Sequence, residues 1–377
     1  MRLVRKITIL GLIIPWLVSA QLPIAPDLSS FPTNKGESVW PVVPPLPAPD
    51  SLRPCCAFGY DLKAEALGVP LPFYRVNNVV EADHLGEHHY NDRLFGAAAN
   101  LTGLSGEQNG IIYTSRGGFI DTAHVRDTAD MTFYLFSHIL PQLGKAHDIV
   151  LGEELSARHI KLFGFTPPQD AYQRYLLAAR LAGYLAFQVA AWHEIAQWYG
   201  YESVPGFSEG ISAFSPEDLY SNVLGARLAM TLILGNHGAS VSQYNLAMPV
   251  ILQQALHQLG AVSAQETRFH FDMLDGQWWN SHRYVPEKFL VLKRNYETSD
   301  DRLPTIVPGE TVPPLRLRLS ESVGGVALSL LGELQLWPGH SMQSLPAPVN
   351  PYYTFRDFPA LAHDAQARDI SELQATQ

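Results

Sequence analysis

From Leu181 to Trp192 the chain carries no charged side chain, and this stretch runs into His193-Glu194 in the string Trp192-His-Glu-Ile-Ala-Gln-Trp-Tyr-Gly200. Thr166-Pro-Pro-Gln-Asp170 supplies a start signal and Gly200 a stop, which predicts a helix over Ala171–Tyr199. A helix that is apolar nearly all round has to be enclosed on every side. The protein must therefore build a large core around it, and an imidazole and a carboxylate enter that core together. An ionised carboxylate in such surroundings costs several kcal/mol unless it is paired or bound to a metal. Glu194 must have an answering group elsewhere in the chain.

Composition supports a core of that size. Of 377 residues, 46% are hydrophobic and only 16% charged, enough for one large domain or two small ones. The net charge of −10 argues against nucleic acid, whose binding rests on Lys and Arg contacts to phosphate, and against an anionic membrane surface.

The N-terminus reads as a secretory signal over residues 1–20: Arg2, Arg5 and Lys6, an apolar run from Ile7 to Val18, and the small-residue site Val18-Ser19-Ala20. That run is too short to span a bilayer, and no transmembrane helix is expected after cleavage. The expected location is the periplasm or the exterior of the cell. Residues 21–54 hold nine prolines and read as an extended arm. A single globular domain is expected over 55–362, with a polar, frayed tail over 363–377. Cys55 and Cys56 are adjacent, so any bridge between them would be strained.

The fold class expected is α+β, with a helical centre, peripheral short strands and a β-containing C-terminal part. Strands are predicted near 71–80 and 110–114, a hairpin within 148–165, and further strands near 289–294, 315–319 and 326–336. Besides the long helix, helices are predicted over 122–143, from Ser215-Pro-Glu-Asp218 to about Leu234, and over 248–259.

The answering group for Glu194 is sought first in Arg116-Gly-Gly-Phe-Ile-Asp121-Thr-Ala-His124-Val-Arg126-Asp127. Asp121 stands where an N-cap belongs. Spacing by three puts Asp121, His124 and Asp127 along one side of a helix, so Asp121 can orient the His124 ring as partners of metal-binding histidines do. Arg116-Gly-Gly leads into a helix N-terminus, a favourable place for an anion. Arg116, Arg126 and Asp127 are the candidate binding residues.

Zinc-peptidase helices carry His-Glu-x-x-His, in which two imidazoles share one face and the Glu takes a proton from a metal-bound water. Here Gln197 occupies the second ligand position. The ligand set expected is therefore His193 with His124 and a carboxylate, Glu217 or Glu209, from the following segment. Glu194, Asp121 and Glu209 are the candidate catalytic carboxylates, and zinc is the expected cofactor. The competing reading is a buried ion-pair network with Glu194 held by Arg126 or Arg227. Ser215 and Asp218 are explained as a variant capping box. His84, His88 and His89 with Asp83 and Asp92 form a looser cluster, and Trp278, Trp279 and Trp337 suit either a binding groove or a core.

Arg53-Pro-Cys-Cys-Ala-Phe-Gly59, Arg116–Asp127, Trp192-His-Glu194 and Ser212-Ala-Phe-Ser-Pro-Glu-Asp-Leu-Tyr-Ser-Asn222 together resemble an uncharacterised bacterial family, domain of unknown function four-zero-five-six (DUF4056). The resemblance implies a bacterial envelope protein and supplies no activity, fold or ligand. On the residues alone, the leading expectation is a metal-dependent hydrolase acting on peptide or another cell-envelope polymer. The alternative is a non-catalytic envelope binding or scaffold protein whose His/Glu network is structural.

Overall fold

A computed structural model describes residues 40–49, 53, 57–66, 69–76, 78–91, 106–203, 208–339, 342 and 344–375. The signal segment, most of the Pro-rich arm and the Cys55–Cys56 pair lie outside these residues. The chain is α+β. Its centre is three packed helices: α1 (Thr122–Gln142), α2 (Ala171–Trp198) and α3 (Asp218–Leu234). α2 contains the charge-free stretch, and the burial of that stretch follows the sequence argument. Leu181, Ala182, Leu185, Ala186, Phe187, Ala191 and Trp192 are at most 1% exposed.

The strands form small sheets around this centre. β1 (Leu62–Ala66) pairs antiparallel with β2 (Val69–Val76) and parallel with β7 (Tyr284–Val285). β3 (Ile111–Thr114) and β4 (Gly118–Asp121) form a hairpin in which Ile111 faces Asp121. β5 (His147–Glu154), β6 (Ser156–Leu162) and β12 (Gly332–Pro338) make an antiparallel sheet in the order β12-β6-β5. Its buried Ile149, Ile160 and Leu334 join the same core as α2. β8 (Asp301–Arg302) pairs with β9 (Leu317–Arg318), and β10 (Ser322–Val323) with β11 (Val326–Ala327).

Three helices complete the structure: α4 (Val241–Gln258), α5 (Ala264–Leu274) and α6 (Phe358–Ala375). α5 went unpredicted, although Ser263 caps it by accepting from the Glu266 N–H at 3.2 Å. α4 begins earlier than expected, at a Ser240 cap. The stretch around Phe289 is a short 3-10 turn instead of a strand. The tail expected to fray from His363 is the body of α6, held by buried Leu361, Ala362 and Ala365. Its polar face concealed an apolar one. The end of the Pro-rich arm is likewise docked. Leu46 donates its N–H to Ser137 Oγ at 3.0 Å, and the Trp40 ring lies 4.8 Å from that of Tyr175.

α1 and α3 approach closely because Gly225 faces α1. A Cβ placed there would lie 2.1 Å from the Val125 carbonyl oxygen. Polar contacts fix the register: Thr128 donates to Asn222 Oδ1 at 2.8 Å, and the Asp121 N–H donates to Ser221 Oγ at 3.0 Å. Gly225→Ala should therefore separate the helices and lower stability by about 1–3 kcal/mol, the usual range for overpacking. Urea denaturation would measure this, and an unchanged midpoint would show that the approach is not tight.

Candidate metal centre

The close approach of α1 and α3 brings two helix starts together against the side of α2. Asp121 ends β4 and caps α1, its Oδ1 accepting the Ala123 N–H at 2.7 Å. His124 follows within the first turn. Glu217 precedes α3 at the N-cap position but makes no capping bond with its side chain. Asp218, the first residue of α3, accepts the Ser215 N–H on Oδ2 at 2.7 Å. From α2, Glu194 accepts the Phe214 N–H on Oε2 at 2.8 Å. Phe214 holds a left-handed backbone with φ 58°, uncommon for a bulky side chain and a sign of local constraint.

One ligand atom from each of His124, Glu194 and Asp218 lies within 4.8 Å of the others, an arrangement that can hold a metal ion. His124 Nδ1 is 3.7 Å from Glu194 Oε1 and 3.7 Å from Asp218 Oδ1. Those two carboxylate oxygens are buried and take no hydrogen bond from an N–H or hydroxyl group, and the two carboxyls lie close enough to hydrogen-bond each other. Each carboxylate thus uses one oxygen to fix its position and turns the other toward the imidazole. Glu217 has both oxygens buried without a partner, as is the Ser215 hydroxyl.

The electrostatics match this geometry. Burial lowers the His124 pKa to about 3, helped by the neighbouring His193, so the ring is neutral, as a metal ligand must be. Burial, with Glu194 and Glu217 close by, pushes Asp218 well above the usual carboxylate range. Burial does the same for Glu217, reinforced by Asp121 and Glu194. Glu194 is also raised by burial, against the opposing pull of His193 and the Phe214 N–H. Without a cation, the cluster resists carrying its full negative charge.

The remaining sequence candidates are distributed as follows. His193 is turned to the β5 side: its Nδ1 lies 2.6 Å from Glu154 Oε1. Burial would lower its pKa, but Glu154 lifts it to about 9. Neighbouring helix residues point about 100° apart, so His193 and Glu194 diverge and His193 falls outside the three-residue group. Glu209 accepts from Gln197 Nε2 at 3.1 Å and from the Ser203 N–H at 2.8 Å, away from the group. Arg116 enters through its backbone, donating to the Leu259 carbonyl at 2.9 Å.

Arg126 and Asp127 belong to a second buried network. Arg126 pairs with Glu107 at 2.5 Å and donates to the Leu85 carbonyl. Arg53 reaches Glu107 and Asp127 at 2.7 Å each and Asp130 at 3.0 Å. His88 meets Asp130 at 2.9 Å, while His84 and His89 stay exposed beside Glu81 and Glu87. Asp92 lies outside the described residues. The arginines proposed to neutralise Glu194 are thus engaged elsewhere, Arg227 donating to the Arg318 carbonyl at 2.7 Å. Trp278 and Trp279 are core residues, whereas Trp337 is 39% exposed.

Asp218 is the ligand atom source that sequence reasoning missed. A capping role explained it, but capping uses only one of its two oxygens. An acidic pair at a helix start, in a segment otherwise apolar enough to be buried, was the available signal.

The fold and site define an α+β protein with a buried His/carboxylate group able to hold a cation. The chain belongs to the family described as Protein of unknown function (DUF4056), whose sequence profile matches residues 43–308. His124, Glu194 and Asp218 all lie inside the match. No curated protein and no solved structure matches the chain. No helix among the described residues is long and apolar enough to cross a membrane.

Proposed function

We propose that this protein is a metal-dependent hydrolase of the periplasm or cell exterior, acting on peptide or another cell-envelope polymer. The observation that carries the metal reading is the convergence of His124 Nδ1, Glu194 Oε1 and Asp218 Oδ1 in a buried site where neither carboxylate oxygen takes an N–H or hydroxyl donor. Three protein ligands of mixed imidazole and carboxylate type suit Zn2+, and also Mn2+ or Fe2+. A divalent cation there would supply Lewis acidity and bring the pKa of water to about 7.

The protein's own groups fit the rest of the reaction. His193, held by Glu154, bears on His124 electrostatically from outside the three-residue group. Asp121 stands among the carboxylates around Glu217 and Asp218. A cleft of about 500 Å³, lined by Lys293, Asn295, Thr298 and His363 among others, shares Arg294 with the surroundings of Glu194 and Asp218. Its amide, hydroxyl and basic groups suit a polar polymer. The basic and apolar N-terminal segment supports export.

A second reading, a structural cation within a non-catalytic envelope protein, is favoured by burial: Glu194 and Asp218 are 0% exposed and His124 only 7%. Closed sites are typical of structural metals. One experiment separates the two. Purified protein loaded with Zn2+ is assayed against peptide and cell-wall fragments, with and without chelator. Chelator-sensitive cleavage supports the hydrolase, bound zinc without cleavage supports the structural site, and absence of bound metal removes both.

A further inference from the structure

We propose that the cleft between segment 293–298 and α6 recognises the free carboxylate end of a peptide. The inference rests on the polymer reading of that cleft and narrows it to one chemical class, and it does not require the metal.

The carrying observation is Thr298. It lines the cleft, is 1% exposed, and its hydroxyl has no hydrogen-bond partner. Buried polar groups almost always find one, and leaving one unpaired costs about 1–3 kcal/mol. Three more groups of the lining are uncommitted: the side chains of Lys293, His363 and Gln366 make no hydrogen bond or ion pair with another described residue. His363 and Gln366 share one face of α6, which forms a wall of the cleft. The opposite wall is held in place. Asn295 donates from Nδ2 to Thr305 Oγ1 at 3.2 Å and accepts the Glu297 N–H on Oδ1 at 3.2 Å.

Charge identifies the ligand. The chain carries −10 overall, yet the lining sets Lys293 and Arg294 against one acid, Glu297. That acid is partly answered, since Arg302 bears on it electrostatically and Glu297 Oε1 accepts the Ser299 N–H at 3.1 Å. A local reversal of sign in an acidic protein favours an anion. The Arg294 guanidinium is occupied by the carbonyls of Ala213, Gly210, Ile211 and Lys288. What remains is one ammonium with neutral donors, a set for a singly charged carboxylate rather than for phosphate, whose higher charge calls for guanidinium forks. A volume of about 500 Å³ admits a short peptide end. The cleft is also tied to the carboxylate cluster through one residue. The Asn295 N–H donates to the Phe214 carbonyl at 2.8 Å, and the Phe214 N–H positions Glu194.

The test is calorimetric titration of chelator-stripped, full-length protein with N-acetyl-dialanine and with its C-terminal amide. The acid is expected to bind saturably and the amide about tenfold more weakly, the worth of one charge-assisted hydrogen bond. Lys293→Gln should bring the affinity for the acid down to that for the amide. Thr298→Val should weaken binding without lowering Tm, because the hydroxyl has no bond to lose. Equal affinity for acid and amide, or no binding of either, overturns the proposal. So does displacement of the acid by an equal concentration of inorganic phosphate, and so does a Thr298→Val protein that melts early, which would make the hydroxyl structural. Acid-selective binding by a protein that cleaves nothing keeps this site and removes the hydrolase reading instead. The acid and amide pair on the unaltered protein decides the matter should Lys293→Gln fail to fold.

Discussion

Asp218→Asn is expected to abolish the protein's stabilisation by metal. In the metal-free state the substitution replaces a carboxyl that burial and its neighbours already hold toward its neutral form with a neutral amide. The amide oxygen still accepts the Ser215 N–H that Oδ2 accepts at 2.7 Å. The metal-free variant should therefore be at least as stable as the unaltered protein. With Zn2+ present the order inverts. A ligand at a hundred times its dissociation constant stabilises by about 2.7 kcal/mol, worth roughly 4 °C in Tm for a domain of this size. The variant should lose that gain. Thermal melts with Zn2+ and with chelator measure both halves. A variant destabilised equally in both conditions would mark Asp218 as a purely structural cap.

Asp130→Ala is expected to be the most destabilising single change among the polar core residues, by about 3–5 kcal/mol. Asp130 accepts from Arg53 at 3.0 Å, meets His88 at 2.9 Å and accepts the Tyr244 hydroxyl at 3.1 Å. Removing it leaves a buried guanidinium and a buried imidazole short of a partner. The network also sets the acid limit of the fold. Burial works to raise Glu107, but Arg53, His88 and Arg126 hold it far below the usual carboxylate range. Asp130 is lowered too, by His88 and Arg53 against burial. A depressed carboxylate contributes stability that is present above the ordinary pKa of about 4 and is lost as the pH falls through its folded value. Urea midpoints measured from pH 7 down to pH 3 should fall for the unaltered protein and fall less steeply for Asp130→Asn. The metal response of these variants should persist, since they leave the Glu194 cluster intact. Loss of that response would mean the two buried networks act as one.

Much of the helical centre was legible because its signals are local. Asp121 caps the helix it was expected to cap, Asp170 caps α2 at the end of the expected start signal, and the charge-free run of α2 forced its own burial. His124 and Glu194 stood out for the same reason, as polar groups in helices that had to be enclosed. Two things hid the rest. Sequence adjacency made His193 look like a partner of Glu194, whereas the helical turn sends it to Glu154. Asp218 had a sufficient local explanation as a cap, which concealed the oxygen left over. α6 was missed because its polar residues outnumber the few apolar ones that dock it. No local signal in the sequence shows that Arg53 crosses to α1, since the contact joins residues 74 positions apart.

Asp369 gives the far end of the chain a bearing on the chemistry. It lies on α6, accepts from the Tyr296 hydroxyl, pairs with Lys288 at 2.6 Å and stands 3.5 Å from Arg294 Nε. It thereby helps hold the Arg294 guanidinium, which donates to the carbonyls of Ala213, Gly210, Ile211 and Lys288. Clipping the C-terminus, or fusing a bulky tag that pries this last helix loose, would free that arginine to swing inward as an internal counterion. On the proposed metal reading, that arginine would then compete with the cation for the same carboxylates, and weak metal uptake by a truncated preparation would be a fault of the truncation.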